Sequence, residues 1–152
     1  MKNILEAAHR DEIIARIEKL SPNDSPLWGK MNVGEMICHL SDQVRMSLGE
    51  IKTEYVGNKF LETVMKQLIL LGLPAPNGKA ETVKELKQGV GGTKPKNFDG
   101  DKNLLINKIK EFDGAFPASK RLRHPAFGYM NKKQLGRLAY IHLDHHLKQF
   151  GK

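Results

Sequence analysis

Apolar residues recur along this chain every three to four positions, the spacing that lines one face of a helix. Ile13, Ile14, Ile17 and Leu20 carry the pattern across residues 8–20. The SPNDSP segment that follows contains Pro22 and Pro26 and cannot continue a helix. A second helix is predicted from Asn32, which has Glu35 three positions later as in a capping box. Val33, Met36, Ile37, Leu40, Val44 and Leu48 give it one broad apolar face, and Gly49 is its stop. Residues 58–72, NKFLETVMKQLILLG, read as a third, largely buried helix ended by Pro74 and Pro76. Leu105, Ile109 and Phe112, flanked by Leu104 and Ile106, space a helix over 101–115. Asn131 is a cap for a last helix running to about Phe150.

The connectors are uneven. From Asn77 to Asp101 the glycines Gly78, Gly89, Gly91, Gly92 and Gly100, with Pro95 and Asp99, mark a loop holding one short helical turn at 80–88. A loop of this length is unusual in a compact domain and is often functional. The stretch FPASKRLRHPAFGYM, with Pro117, Pro125 and Gly128, reads as an irregular connector. No strand alternation, internal repeat or low-complexity segment is legible. The fold predicted is all-α: one domain over 1–152, a four-helix bundle with a long helix-plus-loop insertion between its second and third helices.

Composition narrows the classes. At 152 residues the chain can bury a core without disulfide staples, and Cys38 is its only cysteine. Charge breaks the apolar residues of MKNILEAAHRDEIIARIEKL every few positions, so the continuous apolar run of a signal peptide is missing. LILLGLPAP is too short to span a bilayer. No membrane partner and a cytoplasmic location are expected. The net charge of +8 would attract nucleic acid, but the lysines are scattered, densest between Lys79 and Lys102, and carry no aromatic interleaving.

The chemistry concentrates in the last helix. With successive residues turned by about 100°, Leu138, Ala139, His142, His146 and Gln149 all fall within about 60° of Leu135. Arg137, Asp144 and Lys148 point to the opposite side, and Asp144 reads as a solvated charge. His142 and His146 are one turn apart, so both rings can grip one ion. Two rings alone make a weak site. His39, at the edge of the apolar sector of the second helix with Met36, Gln43 and Met46, is the candidate third ligand. Glu35 and Gln43, one turn to either side, are candidates to orient a ligand or a bound water. His145 lies about 80° from Leu135, beside the stripe. The competing reading is a set of hydrogen-bonded core histidines, since HxxxH also occurs without metal. Burying unpaired rings costs about 1–3 kcal/mol each, which an ion removes.

The segments LWGKMNVGEMICHLSDQ (27–43) and HPAFGYMNKKQLGRLAYIHLDHHLKQFG (124–151) resemble the DinB-like superfamily, closest to the branch catalogued as DUF1569. The resemblance rests on a tryptophan, a helix-borne histidine and a terminal HxxxH followed three residues on by glutamine. It covers both ends of the chain; residues 51–100 do not align, and they are expected to supply a lid or part of the pocket. It implies a four-helix bundle whose metal ligands are His39, His142 and His146, with nickel or zinc as the divalent ion. It also implies a small-molecule substrate, with low-molecular-weight thiols used by some relatives, and a homodimer.

Elsewhere Trp28 is expected to anchor packing, and Cys38 to be a buried thiol turned away from His39. Met36 and Met46 are expected in the core. His124 is expected in a loop, with the site mouth as the alternative, and Tyr129 and Arg123 at the surface, with pocket lining as the alternative. Three functions stand in order: a metal-dependent enzyme performing thiol transfer or metal-assisted hydrolysis, a non-catalytic metal- or ligand-binding module, and a nucleic-acid-associated protein. A structural site would be coordinatively closed, a catalytic one open; nucleic-acid binding would weaken steeply with salt.

Overall fold

The computed structural model describes residues 1–73 and 82–152. Helices α1 (Ala7–Glu18), α2 (Val33–Leu48), α4 (Phe98–Glu111) and α5 (Lys132–Gln149) surround one core, with α1 and α2 each packed against both α4 and α5. Their predicted stripes face inward. Ile13, Ile17, Met36, Ile37, Leu40, Leu105, Ile109 and Phe112 are all fully buried, and burying each such side chain stabilises the fold by about 1.5–3 kcal/mol.

The caps form as the sequence predicts. Asn32 accepts from the Glu35 backbone N–H at 2.9 Å, and the Glu35 carboxylate accepts from the Asn32 N–H at 2.9 Å. Asn131 and Gln134 repeat the arrangement at the start of α5. Gly49 ends α2 with φ of 83°. Helix α4 starts earlier than its apolar pattern indicates. The Asn97 side chain accepts from the Gly100 N–H at 2.8 Å, which draws Asp99 and Gly100, expected in a loop, into the first turn.

Three expectations need correction. The fold is not all-α: strands β1 (Arg121–His124) and β2 (Gly128–Asn131) pair antiparallel with Leu122 opposite Met130 and His124 opposite Gly128. Pro125 and Gly128 read as breakers; Pro125 lies in the turn of this hairpin, and Gly128, at φ of 65°, opens β2 directly after it. Four-residue strands are too short for alternation to show.

The third helix forms as a π-helical turn (Leu61–Met65) running into α3 (Lys66–Leu70), but only Leu70 of these residues is buried. It lies against α5, where Arg137 donates to the Leu70 carbonyl, and leaves Phe60, Val64, Leu71 and Leu73 exposed. Apolar composition states what a helix can bury, not whether a partner exists. Its expected end at Pro74 and Pro76 lies outside the described residues. Of the turn expected at 80–88, the described part is one 3-10 turn at Lys84–Leu86.

The third correction is Trp28. It is 47 % exposed, so the side chain is no packing anchor. Among the described residues no helix is long and apolar enough to cross a membrane.

Candidate metal centre

Helices α2 and α5 face each other across the core and bring three histidines together. One ligand nitrogen from each of His39, His142 and His146 lies within 4.8 Å of the other two. The ring centroids are 5.1 Å apart for His39 and His142, 5.0 Å for His39 and His146, and 4.7 Å for His142 and His146. His39 and His146 are buried, and His142 keeps an open edge. Among the described residues no other cluster of histidine, cysteine or carboxylate has this form.

Hydrogen bonds decide which nitrogens are free. His39 Nδ1 lies 3.4 Å from the Leu86 carbonyl, which can only accept, so Nδ1 carries the proton and Nε2 a lone pair. At 3.0 Å that lone pair faces His142 Nε2, so a proton or a cation must lie between them. The Gln149 amide donates from Nε2 to the Trp28 carbonyl at 2.6 Å, which fixes its orientation. Its Oε1 therefore accepts from His146 Nδ1 at 2.7 Å and frees His146 Nε2. This is the outer support that metal-binding histidines use. Gly29, at φ of 84°, makes room for it: a Cβ there would sit 2.4 Å from Gln149 Nε2.

All three rings are held neutral, the form that binds metal. Burial pushes His142 well below the usual histidine value, with its neighbours' charges adding. Burial pushes His146 down to about 4. His39 is also lowered by burial, against the Leu86 carbonyl and the Asp42 carboxylate, which both favour its protonated form.

The insertion supplies part of this site. Buried Asp42 on α2 accepts from both the backbone N–H and the hydroxyl of Thr93 at 2.7 Å, which clamps the segment carrying Leu86 against α2. Sequence reasoning missed Leu86, Thr93 and the Trp28 carbonyl. Backbone carbonyls have no residue signature, and these partners lie far from the histidines in sequence. Glu35 is occupied as a cap, and Gln43 makes no hydrogen bond among the described residues. His145 is exposed, with its ring 5.1 Å from His146 and 6.0 Å from Trp28. Asp144 is not a free solvated charge; it pairs with Arg16 of α1 at 2.8 Å and with Lys148.

Cys38 is buried, and burial with Asp101 and Asp42 nearby pushes its thiol up to about 12. His124 is buried on β1 rather than in a loop, while Tyr129 and Arg123 are exposed as expected. Arg123 lies over the Tyr55 ring at 4.1 Å and the Tyr129 ring at 5.9 Å. Two surface hollows, of about 580 and 360 Å³, are lined around Glu50 and Glu111 and around Glu54 and Glu85. Neither contains a histidine, so donor chemistry rather than cavity shape singles out the site.

A family model described as "Protein of unknown function (DUF1569)" matches residues 1–152. No curated protein and no solved structure matches the chain.

Proposed function

The chain belongs to the DUF1569 family, and on that premise we propose that His39, His142 and His146 hold one divalent metal ion with a coordination position left open. The convergence of three ring nitrogens, two of them freed by fixed partners on the opposite ring nitrogen, carries this reading. Tetrahedral zinc sets ligand nitrogens about 3.3 Å apart, so His39 and His142, at 3.0 Å, need to separate only slightly. An all-imidazole set suits nickel or zinc.

The cluster has three members rather than four, which favours a reactive site over a closed structural one. A divalent ion there would act as a Lewis acid, acidifying water or binding a thiolate. The residues of the chain bind the ion and keep their own tautomers fixed. We assign the protein to the DinB-like superfamily, supported by the two ligand helices and the four helices around one core. Its reaction is metal-assisted hydrolysis or thiol transfer on a small-molecule substrate, with a low-molecular-weight thiol as the co-substrate of the latter. The exposed residues Phe60, Val64, Leu71 and Leu73 support a second copy of the chain as partner.

Metal analysis of the purified protein tests the reading. One equivalent of nickel or zinc is expected per chain, retained by His145→Ala and lost by His142→Ala. A native protein that takes up no divalent metal under loading would refute it, as would undiminished binding by His142→Ala.

A further inference from the structure

Tertiary structure gives part of the +8 net charge an aromatic setting, on the outer face of the hairpin. Alternate strand residues point to opposite faces. His124 and Met130 are buried and Leu122 is half-buried, so Arg121, Arg123 and Tyr129 turn outward. All three are exposed, Tyr129 by 63 %. Arg123 stands opposite Tyr129 and Arg121 opposite Asn131 in the register of the two strands. Exposed Lys120 continues the row ahead of β1.

This face is ordered as well as charged. The Arg123 guanidinium lies 4.1 Å from the centre of the Tyr55 ring and 5.9 Å from that of Tyr129. Tyr55 is itself held, donating its hydroxyl to the Glu62 carboxylate at 2.7 Å. The Lys66 ammonium donates to the Phe127 and Tyr129 carbonyls at 3.1 and 3.4 Å, which ties the hairpin to the segment that carries Glu62. Among the described residues neither Arg121 nor Arg123 forms an ion pair or a side-chain hydrogen bond, and the contacts of Arg123 are the two rings. A guanidinium stacked on a ring keeps its donors in its own plane, where they can fork a phosphate. The interleaving of charge and ring is tertiary: Tyr55 comes from a segment distant in sequence and Tyr129 from the opposite strand.

We propose that the outer face of this hairpin docks single-stranded nucleic acid, with Arg121 and Arg123 on phosphates and the open side of Tyr129 under a base. Charge alone would suit any polyanion. The exposed ring beside the guanidinium narrows the occupant to one that offers unpaired bases, since bases in a duplex are stacked on each other and closed to a ring on a flat face. Tyr55 is covered by Arg123, so Tyr129 is the stacking residue. The surface does not depend on the metal reading of the three histidines.

The test is fluorescence anisotropy of the full chain with a labelled oligothymidine of about 12 nucleotides, over a salt series. Wild-type protein is expected to bind it about tenfold more tightly than an abasic oligomer of equal length, which keeps the phosphates and lacks the bases. Tyr129→Ala is expected to erase that difference. Each phosphate contact on a single strand contributes about 0.7 to the slope of log affinity against log salt. Arg123→Gln, and independently Arg121→Gln, should therefore each lower the slope by about 0.7. Lys19→Gln, at the exposed end of α1, removes the same charge elsewhere and should leave the slope unchanged. The proposal is overturned by absent binding, by equal wild-type affinity for the abasic oligomer, or by a duplex of the same length that binds as tightly. It is overturned equally by arginine variants whose slope matches that of the wild type or of Lys19→Gln.

Discussion

Two of the three clustered histidines are supported in opposite ways. His146 is held from within its own helix. Gln149, three residues on, accepts its Nδ1 proton at 2.7 Å and is locked by the Trp28 carbonyl. His39 is held from outside, by the Leu86 carbonyl at 3.4 Å, on a segment that stays on α2 through Thr93 and Asp42. The first support is short-range and stiff because one helical turn sets its geometry. The second depends on a 3-10 turn docked across dozens of residues, so it costs more chain entropy to form and is easier to lose. The two ends of one site should therefore differ in strength.

Replacing Gln149 by Leu should produce the largest effect. It strands the His146 Nδ1 proton and the Trp28 carbonyl together, and metal affinity should fall about 10- to 100-fold, the usual cost of losing an outer partner. Competition against a chelating dye measures it. An unchanged affinity would mean that His146 is oriented by packing alone.

Asp42→Ala breaks the other support. It removes the acceptors of both the Thr93 backbone N–H and the Thr93 hydroxyl, so stability should fall by about 1–3 kcal/mol in denaturant unfolding. Metal affinity should fall less than about tenfold, because the Leu86 contact is long and acts on one ring only. A loss larger than that of Gln149→Leu would reverse the comparison.

Acid separates the two ends most finely. The unfolded histidines titrate near 6.5, whereas His146 and His124 lie near 4 in the fold. The unfolded chain thus takes up protons first, so metal-free stability should be level above 6.5 and decline as pH falls from 6.5 toward 4. Within that decline His39 should protonate before His146, because the Asp42 carboxylate favours its charged form in addition to the acceptor that each ring has at Nδ1. Histidine NMR across a pH series gives the order, and the reverse order would count against the influence of Asp42.

The legible parts share a physical reason. The α5 stripe, the HxxxH pair and both capping boxes are local, fixed by helical repeat within a few residues. Their placement in the fold follows the sequence closely, and His39 lies with the pair as the apolar face of α2 indicates. The hairpin at 121–131 was illegible because four-residue strands carry no period and their pairing is a contact between segments. The helical run at 59–70 misled through composition, since burial needs a facing surface that no local pattern reports.

By itself, then, the sequence determined which helices form, how they are capped, which face of α5 turns inward and which histidines it carries. Only the tertiary structure decided which ring nitrogens are free, because the groups that settle them are a loop carbonyl at Leu86 and a carbonyl at Trp28. A carbonyl is common to every residue, so where it points is written in the path of the chain and not in its letters.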